Sequence, residues 1–239
     1  MQANSTYPVF NGRLDENLFN LHHFREKLIE FIVTCLPHWR DDPQRSVKTA
    51  EDSLTQTLCR YLNTATRNTP GYNLVKFERE VEDEFHPKRK VDLGVMPDKN
   101  IITVEGKSFT KYETILQIEC KRLPTPRKKN RDQREYIFSE YSSTGGIQRF
   151  KEGYHGANHN FVTMIGYIQD KTCADWVTQI KKWIDGLIKE KQEGWSAKDH
   201  LRKAHCDNVN RTMMLESKHK RKSKLSEIEI RHLWIEMDR

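Results

Sequence analysis

Long apolar runs are missing from this chain of 239 residues. The greasiest stretches, such as Phe31–Leu36, fall far short of the roughly 20 residues that a bilayer-spanning helix needs. With a mean hydropathy of −0.85, the sequence predicts no membrane association. The opening residues Met1–Pro8 contain no basic stretch followed by an apolar one, so no secretory signal is expected there. Cysteine is sparse and badly arranged for cross-linking. The five (Cys35, Cys59, Cys120, Cys173 and Cys206) form an odd, scattered set without a Cys-x-x-Cys pair. That pattern argues against a disulfide scaffold and a structural zinc site, and it predicts reduced thiols in a cytoplasmic protein. His155, His159, His200, His205 and His219 lack metal-site spacing and read as ordinary residues. No internal repeat is visible.

What the chain does have is positive charge. Lys and Arg number 41 against 34 Asp and Glu, giving a net charge of +7 and a pI near 9.1. A polyanion is the natural partner of such a surface. The cations cluster at Lys88–Lys90, Lys121–Arg134 and Lys218–Lys224. Hydrophobic residues make up 36% and aromatics 10%, enough for a packed core. The five tryptophans read as core or partner surface rather than base-stacking platforms.

Periodicity divides the chain into helices and strands. Residues 15–36 repeat at helical spacing (Leu18, Leu21, Phe24, Leu28, Phe31, Ile32, Cys35), and Pro37 is expected to end that helix. A second helix is predicted from Ser46, as N-cap, to Asn63, with Val47, Ala50, Leu54, Leu58 and Tyr61 as its stripe. Glu51 falls on that stripe, facing the core or at its edge. Strands follow at 74–81 and 90–96, with a short arm at 101–104. The segment Thr114–Arg122 alternates strictly, with Leu116, Ile118 and Cys120 on one face and Gln117, Glu119 and Lys121 on the other. Residues 123–134 read as a basic loop. A short helix is expected around Ile147, Phe150 and Tyr154, and a strand at 161–167. A long helix is capped by Thr172 with Asp175 three residues on. Residues 195–224 read as irregular, and 228–235 as a final strand. The expected fold is α/β: a central mixed sheet with helices on both faces. The expected division is one domain, with a helical extension over 1–45, a core over 46–170, and a C-terminal helix, basic segment and strand over 171–239.

Glu119 and Lys121 lie two residues apart on one strand, so they point to the same side about 6–7 Å apart. Asp92 stands on a preceding strand. If those strands are neighbours, the two carboxylates repel unless a cation sits between them. Mg²⁺, with Mn²⁺ as substitute, takes such hard oxygen ligands, and the backbone carbonyl of Cys120 is a further candidate ligand. Phosphodiester hydrolysis uses this set, because the metal lowers the pKa of its water and clamps the phosphoryl oxygens. A bare Glu-x-Lys triplet is also what a water-facing strand contains.

The order of elements, with Val91–Val95 and Ile118–Lys121 inside it, resembles the restriction-endonuclease-like PD-(D/E)xK nuclease superfamily over about residues 46–170. The resemblance implies an αβββαβ core, to which this chain would add an N-terminal helix and a C-terminal helix plus strand. It implies that Asp92 and Glu119 hold the metal, that Lys121 assists the water, that Glu51 joins the metal site, and that Gln148 lies near the scissile phosphate. Two departures stand out. Val91, not proline, precedes Asp92, and Glu152, not tyrosine, stands four residues after Gln148. The activity implied is metal-dependent endonucleolytic cleavage of DNA. Proteins of this size within the resemblance include restriction enzymes and effectors of prokaryotic anti-phage defence, and a defence effector is the expectation here. Lys88, Arg89, Lys90, Arg122, Arg127, Lys128, Lys129, Arg131 and Arg149 are the expected phosphate contacts. Double-strand cleavage would call for a homodimer or larger assembly, and an activating protein partner is a further expectation. A non-catalytic nucleic-acid-binding or scaffolding subunit on the same fold, and an RNA-directed nuclease, are the alternatives.

Overall fold

The structure is a computed structural model. It describes residues 20–83, 89–99, 101–141, 145–222 and 225–237. The described chain falls into two compact units, residues 20–81 with 92–117 and residues 82–91 with 118–237. Both combine helices and strands, so the fold is α/β. Among the described residues no helix is long and apolar enough to cross a membrane. Leu18 lies outside the described residues.

The first unit is built on two helices. Helix α1 (Leu21–Arg40) starts at Asn20, whose side chain accepts from the His23 backbone N–H. It buries Phe24, Leu28, Phe31, Ile32, Cys35 and Trp39. Pro37 does not end it. The helix runs one turn further, because a proline there gives up only the bond to the carbonyl four residues back, while its own carbonyl accepts from Asp41. Helix α2 (Glu51–Arg67) begins later than Ser46. Its N-cap is Ala50, and Val47 is 91% exposed outside the helix. Glu51 is therefore a first-turn residue, half-buried. There its charge meets the unpaired amides of the helix start rather than the core.

Asn63 of α2 then fixes the first strand. Its amide donates to the Phe77 carbonyl and accepts from the Phe77 N–H, both at 2.8 Å. That strand, β1 (Val75–Glu82), lies beside β2 (Lys90–Pro97). The expected arm is a hairpin of β3 (Ile102–Val104) and β4 (Lys107–Phe109), turning through Glu105 and Gly106 at positive φ.

The second unit carries a mixed run of five strands. Strand β5 (Leu116–Leu123) is parallel to β6 (Phe161–Ile168), and β6 is parallel to β9 (Ile228–Glu236). Beyond β9 the pairing turns antiparallel, to β8 (Thr212–His219) and then β7 (Arg202–Asp207). Helix α3 (Gly146–Lys151) is a short one that stops before Tyr154. Helix α4 (Cys173–Lys189) has the expected start, with Thr172 and Asp175 forming a reciprocal capping box. Every residue of β6 is buried, as a central parallel strand requires.

The β7–β8 hairpin corrects the reading of 195–224 as irregular. Strand β8 does alternate, but half of its inward set is polar: Met213, Leu215, Ser217 and His219 are all buried. A hydrophobic pattern cannot reveal a strand whose inner face is completed by a hydroxyl and an imidazole.

Candidate functional site

Register places the chemistry on one face of the second unit's sheet. Glu119 of β5 sits opposite Met164 of β6, which sits opposite His232 of β9. Lys121, Gly166 and Trp234 form the next row. Paired residues share a face. The same face therefore bears Glu119, Lys121, His232, Trp234 and, on β8, Ser217 and His219. Gly166 is needed here, since a Cβ would stand 2.5 Å from Trp234 Cδ1.

Glu119 is fully buried. The water-facing alternative for this strand is thereby excluded, and Gln117 and Lys121 beside it are buried too. Glu119 Oε1 accepts from Lys121 Nζ at 2.6 Å and from Arg149 Nη1 at 2.8 Å. Its Oε2 faces His155 Nδ1 at 3.5 Å, and neither atom has a hydrogen-bond partner among the described residues. Burial pushes the Glu119 carboxyl up. The Lys121 ammonium, with His155 and Arg149, outweighs that push and holds the group well below the usual carboxylate range. The site thus keeps a buried carboxylate charged, with one oxygen engaged by two cations and the other facing His155 without a hydrogen bond among the described residues.

The other expected site residues fall as follows. Asp92 is half-buried on β2, and Cys120 is buried on β5. Gln148 of α3 is committed to local structure. Its amide oxygen accepts from the Ser139 N–H at 3.0 Å, and its amide nitrogen donates to Glu152 at 3.4 Å. Arg149, read as a phosphate contact, instead donates to Glu119. Arg89 lies over the Tyr154 ring at 3.9 Å, and Lys90 is exposed. Arg131 pairs with Glu135, whereas Arg127, Lys128 and Lys129 are exposed and Arg122 is half-buried. Lys88 lies outside the described residues.

Sequence reasoning missed a second cluster on the same face. Trp234 Nε1 donates to Tyr136 Oη at 2.8 Å, and Tyr136 Oη meets His232 Nδ1 at 2.9 Å. His232 Nε2 meets Ser217 Oγ at 2.8 Å, and that hydroxyl meets His219 Nε2 at 2.7 Å. His219 Nδ1 meets Asp199 Oδ1 at 2.6 Å. With both histidines neutral, every bond can be satisfied in a single direction, from the indole towards the carboxylate. Burial lowers both imidazoles, His232 the further, with His219 and Arg231 adding to it. Asp199 also pairs with Lys151 of α3, and its Oδ2 accepts from the Ser196 N–H and hydroxyl. Burial raises the Asp199 carboxyl, but the bonds from His219 and Lys151 outweigh it and hold it low. The only sequence signal was the spacing of Ser217 and His219 on one strand, which becomes legible once β8 is known.

A divalent metal needs hard oxygen donors. Glu119 Oε2 is one: buried, charged and without a hydrogen-bond partner among the described residues. An unpartnered buried carboxylate oxygen is a donor that suits such a cation. Among the described residues no three His, Cys, Asp or Glu side chains stand together as a ready cage. Comparison with known proteins gives no match, whether against family models, curated proteins or solved structures.

Proposed function

We propose that this protein is a metal-dependent endonuclease hydrolysing phosphodiester bonds of DNA, an effector of prokaryotic anti-phage defence. The observation that carries the reading is Glu119, a fully buried strand carboxylate with one oxygen engaged by Lys121 and Arg149 and the other facing His155 without a hydrogen bond among the described residues. Leaving such an oxygen unpaired in a core is costly, and a bound cation removes the cost.

In this reading Glu119 and the Cys120 carbonyl would hold Mg²⁺ or Mn²⁺, and Asp92 and Glu51 are assigned to the same set by the family resemblance alone. The metal, when bound, supplies a water of lowered pKa and positive charge for the phosphoryl oxygens. Lys121 keeps an ammonium beside Glu119, where it adds positive charge and orients the water. Arg149 shares the same carboxylate and holds the short helix α3 against the strand. Burial excludes bulk water and so strengthens each of these interactions.

A second reading has an observation of its own. Lys121 and Arg149 already balance the Glu119 charge, as they would in a nucleic-acid-binding subunit that needs no metal. A plasmid-cleavage assay with Mg²⁺ and with Mn²⁺ separates the two. Cleavage by the parent, lost in EDTA and in both Asp92→Ala and Lys121→Ala, is the expected result. Equal cleavage by all three proteins would show a contaminant and defeat the assignment. Absence of cleavage, together with no thermal stabilisation of the parent by Mn²⁺, would favour the binding subunit.

A further inference from the structure

Away from Glu119, the second unit has a broad groove whose chemistry the nuclease reading does not use. It is formed by the loop after α4, the 3-10 turn at Ala197–Asp199 and the end of β8, and has a volume of about 880 Å³. Gly194, Trp195 and Lys220 also line a neighbouring cavity of about 210 Å³, so Trp195 borders both. The combined space is on the scale of a ligand site rather than a packing defect.

The wall of this groove is fixed from beneath. Asp199 takes four donors, from Ser196 N–H, Ser196 hydroxyl, His219 and Lys151. The last residue of the 3-10 turn is thereby tied to the buried chain that ends at Trp234. The same contacts fix Lys198, which precedes Asp199, at the groove's edge. On β8 the alternation does the rest. Ser217 and His219 are buried, while Lys218 and, just beyond the strand, Lys220 are exposed about 7 Å apart. Lys198 and Lys220 make no ion pair or hydrogen bond among the described residues. Arg202 and Lys218 pair with Glu216 and Glu229 at 3.1 and 3.3 Å, both cations being more than half exposed, and pairs at a surface are weak. Trp195 is half-buried, with Lys151 Nζ 4.6 Å from its ring centroid and the Phe138 ring in T-shaped contact at 6.4 Å.

We infer that this groove is a binding track for single-stranded nucleic acid, with Lys198, Arg202, Lys218 and Lys220 as its phosphate contacts and Trp195 as a stacking platform for one base. A groove lined by cations, two of them about 7 Å apart along one strand, beside a held aromatic ring is what a single strand is recognised by. A duplex hides its bases and gives Trp195 nothing to stack on. The inference deepens the proposed function, since it names the form of substrate, but it does not need the metal site. Its test is therefore run without metal.

The measurement is binding of a labelled oligothymidylate by fluorescence anisotropy in EDTA, over a series of KCl concentrations, with tryptophan emission read in parallel. Two lost phosphate contacts in Lys198→Ala/Lys220→Ala should flatten the slope of log K against log salt by about 1.4, at about 0.7 per contact. Quenching of tryptophan emission by the oligonucleotide should fall in Trp195→Phe, a variant that keeps an aromatic ring in the packing. A duplex of the same length should compete less well than the single strand. No binding by the parent, an unchanged slope in the double variant, unchanged quenching in Trp195→Phe, or a duplex that competes better would each overturn the assignment. Cleavage with Mg²⁺ by a parent whose groove fails these tests would leave the nuclease reading standing. Binding that passes them without cleavage would do the reverse.

Discussion

At the scale of single residues, Glu119 decides what the second unit can do. It is buried, ionised and shared by two cations, and its second oxygen has no hydrogen-bond partner among the described residues. Glu119→Gln keeps the shape and removes the charge. The expected outcome is loss of cleavage and loss of any rise in melting temperature on adding Mn²⁺, read by thermal shift; an undiminished rise would remove Glu119 from the metal site. His219 and His232 set a different property. Burial holds both below the ordinary value of about 6.5, so each is neutral when folded. As pH falls the unfolded chain takes up protons first. Their contribution to stability is therefore intact above about pH 6.5 and declines below it. The urea midpoint should fall between about pH 7 and pH 5, and the fall should be shallower in His232→Phe. Asp199, held low by His219 and Lys151, adds its own loss only below about pH 4, in a separate window.

At the scale of elements, α3 is short and fixed at both ends. Its backbone enters against the loop before it, with Gly146 N–H on the Glu135 carbonyl and Gln148 N–H on the Ile137 carbonyl, both at 2.9 Å. A Cβ at Gly145 would stand 2.5 Å from Phe138 Cα, a backbone atom that cannot swing aside. Gly145→Ala should cost about 1–3 kcal/mol by urea denaturation, and should lower cleavage as well, because α3 carries Arg149 to Glu119. Helix α4 is a control element. Thr172→Ala breaks its capping box and should cost about 1 kcal/mol with cleavage unchanged. The boundaries of α4 were legible because cap and stripe agree within one local window. Those of α2 were not, since Ser46, a good N-cap residue, is followed by four exposed residues that stay outside the helix.

At the scale of the whole molecule, the charge of +7 sets how the protein meets a polyanion. Binding to nucleic acid in EDTA should weaken linearly on a plot of log K against log salt, with a negative slope counting the phosphates engaged. A slope near zero would leave the basic surface without that partner. The clusters that supply the charge differ in availability. In the segment 121–134, Lys121 is turned inward to Glu119, Arg131 and Arg134 are drawn into ion pairs, and Arg127, Lys128 and Lys129 remain exposed. A count of cations in sequence overstates what a phosphate would meet.

The α/β class, most of the strands, the capped helix α4, the basic surface and the triplet of Glu119 to Lys121 were determined by the sequence itself. Each rests on local chemistry: period, cap, charge and spacing. Only the tertiary structure decided that the polar face of β5 is buried, that Arg149 and His155 stand against Glu119, and that Ser217 and His219 join Asp199 and His232 in one hydrogen-bonded chain. These are contacts between residues far apart in sequence, and burial is a property of what packs on a strand rather than of the strand. A polar side chain reads as solvent-facing until a partner from another element makes its burial affordable.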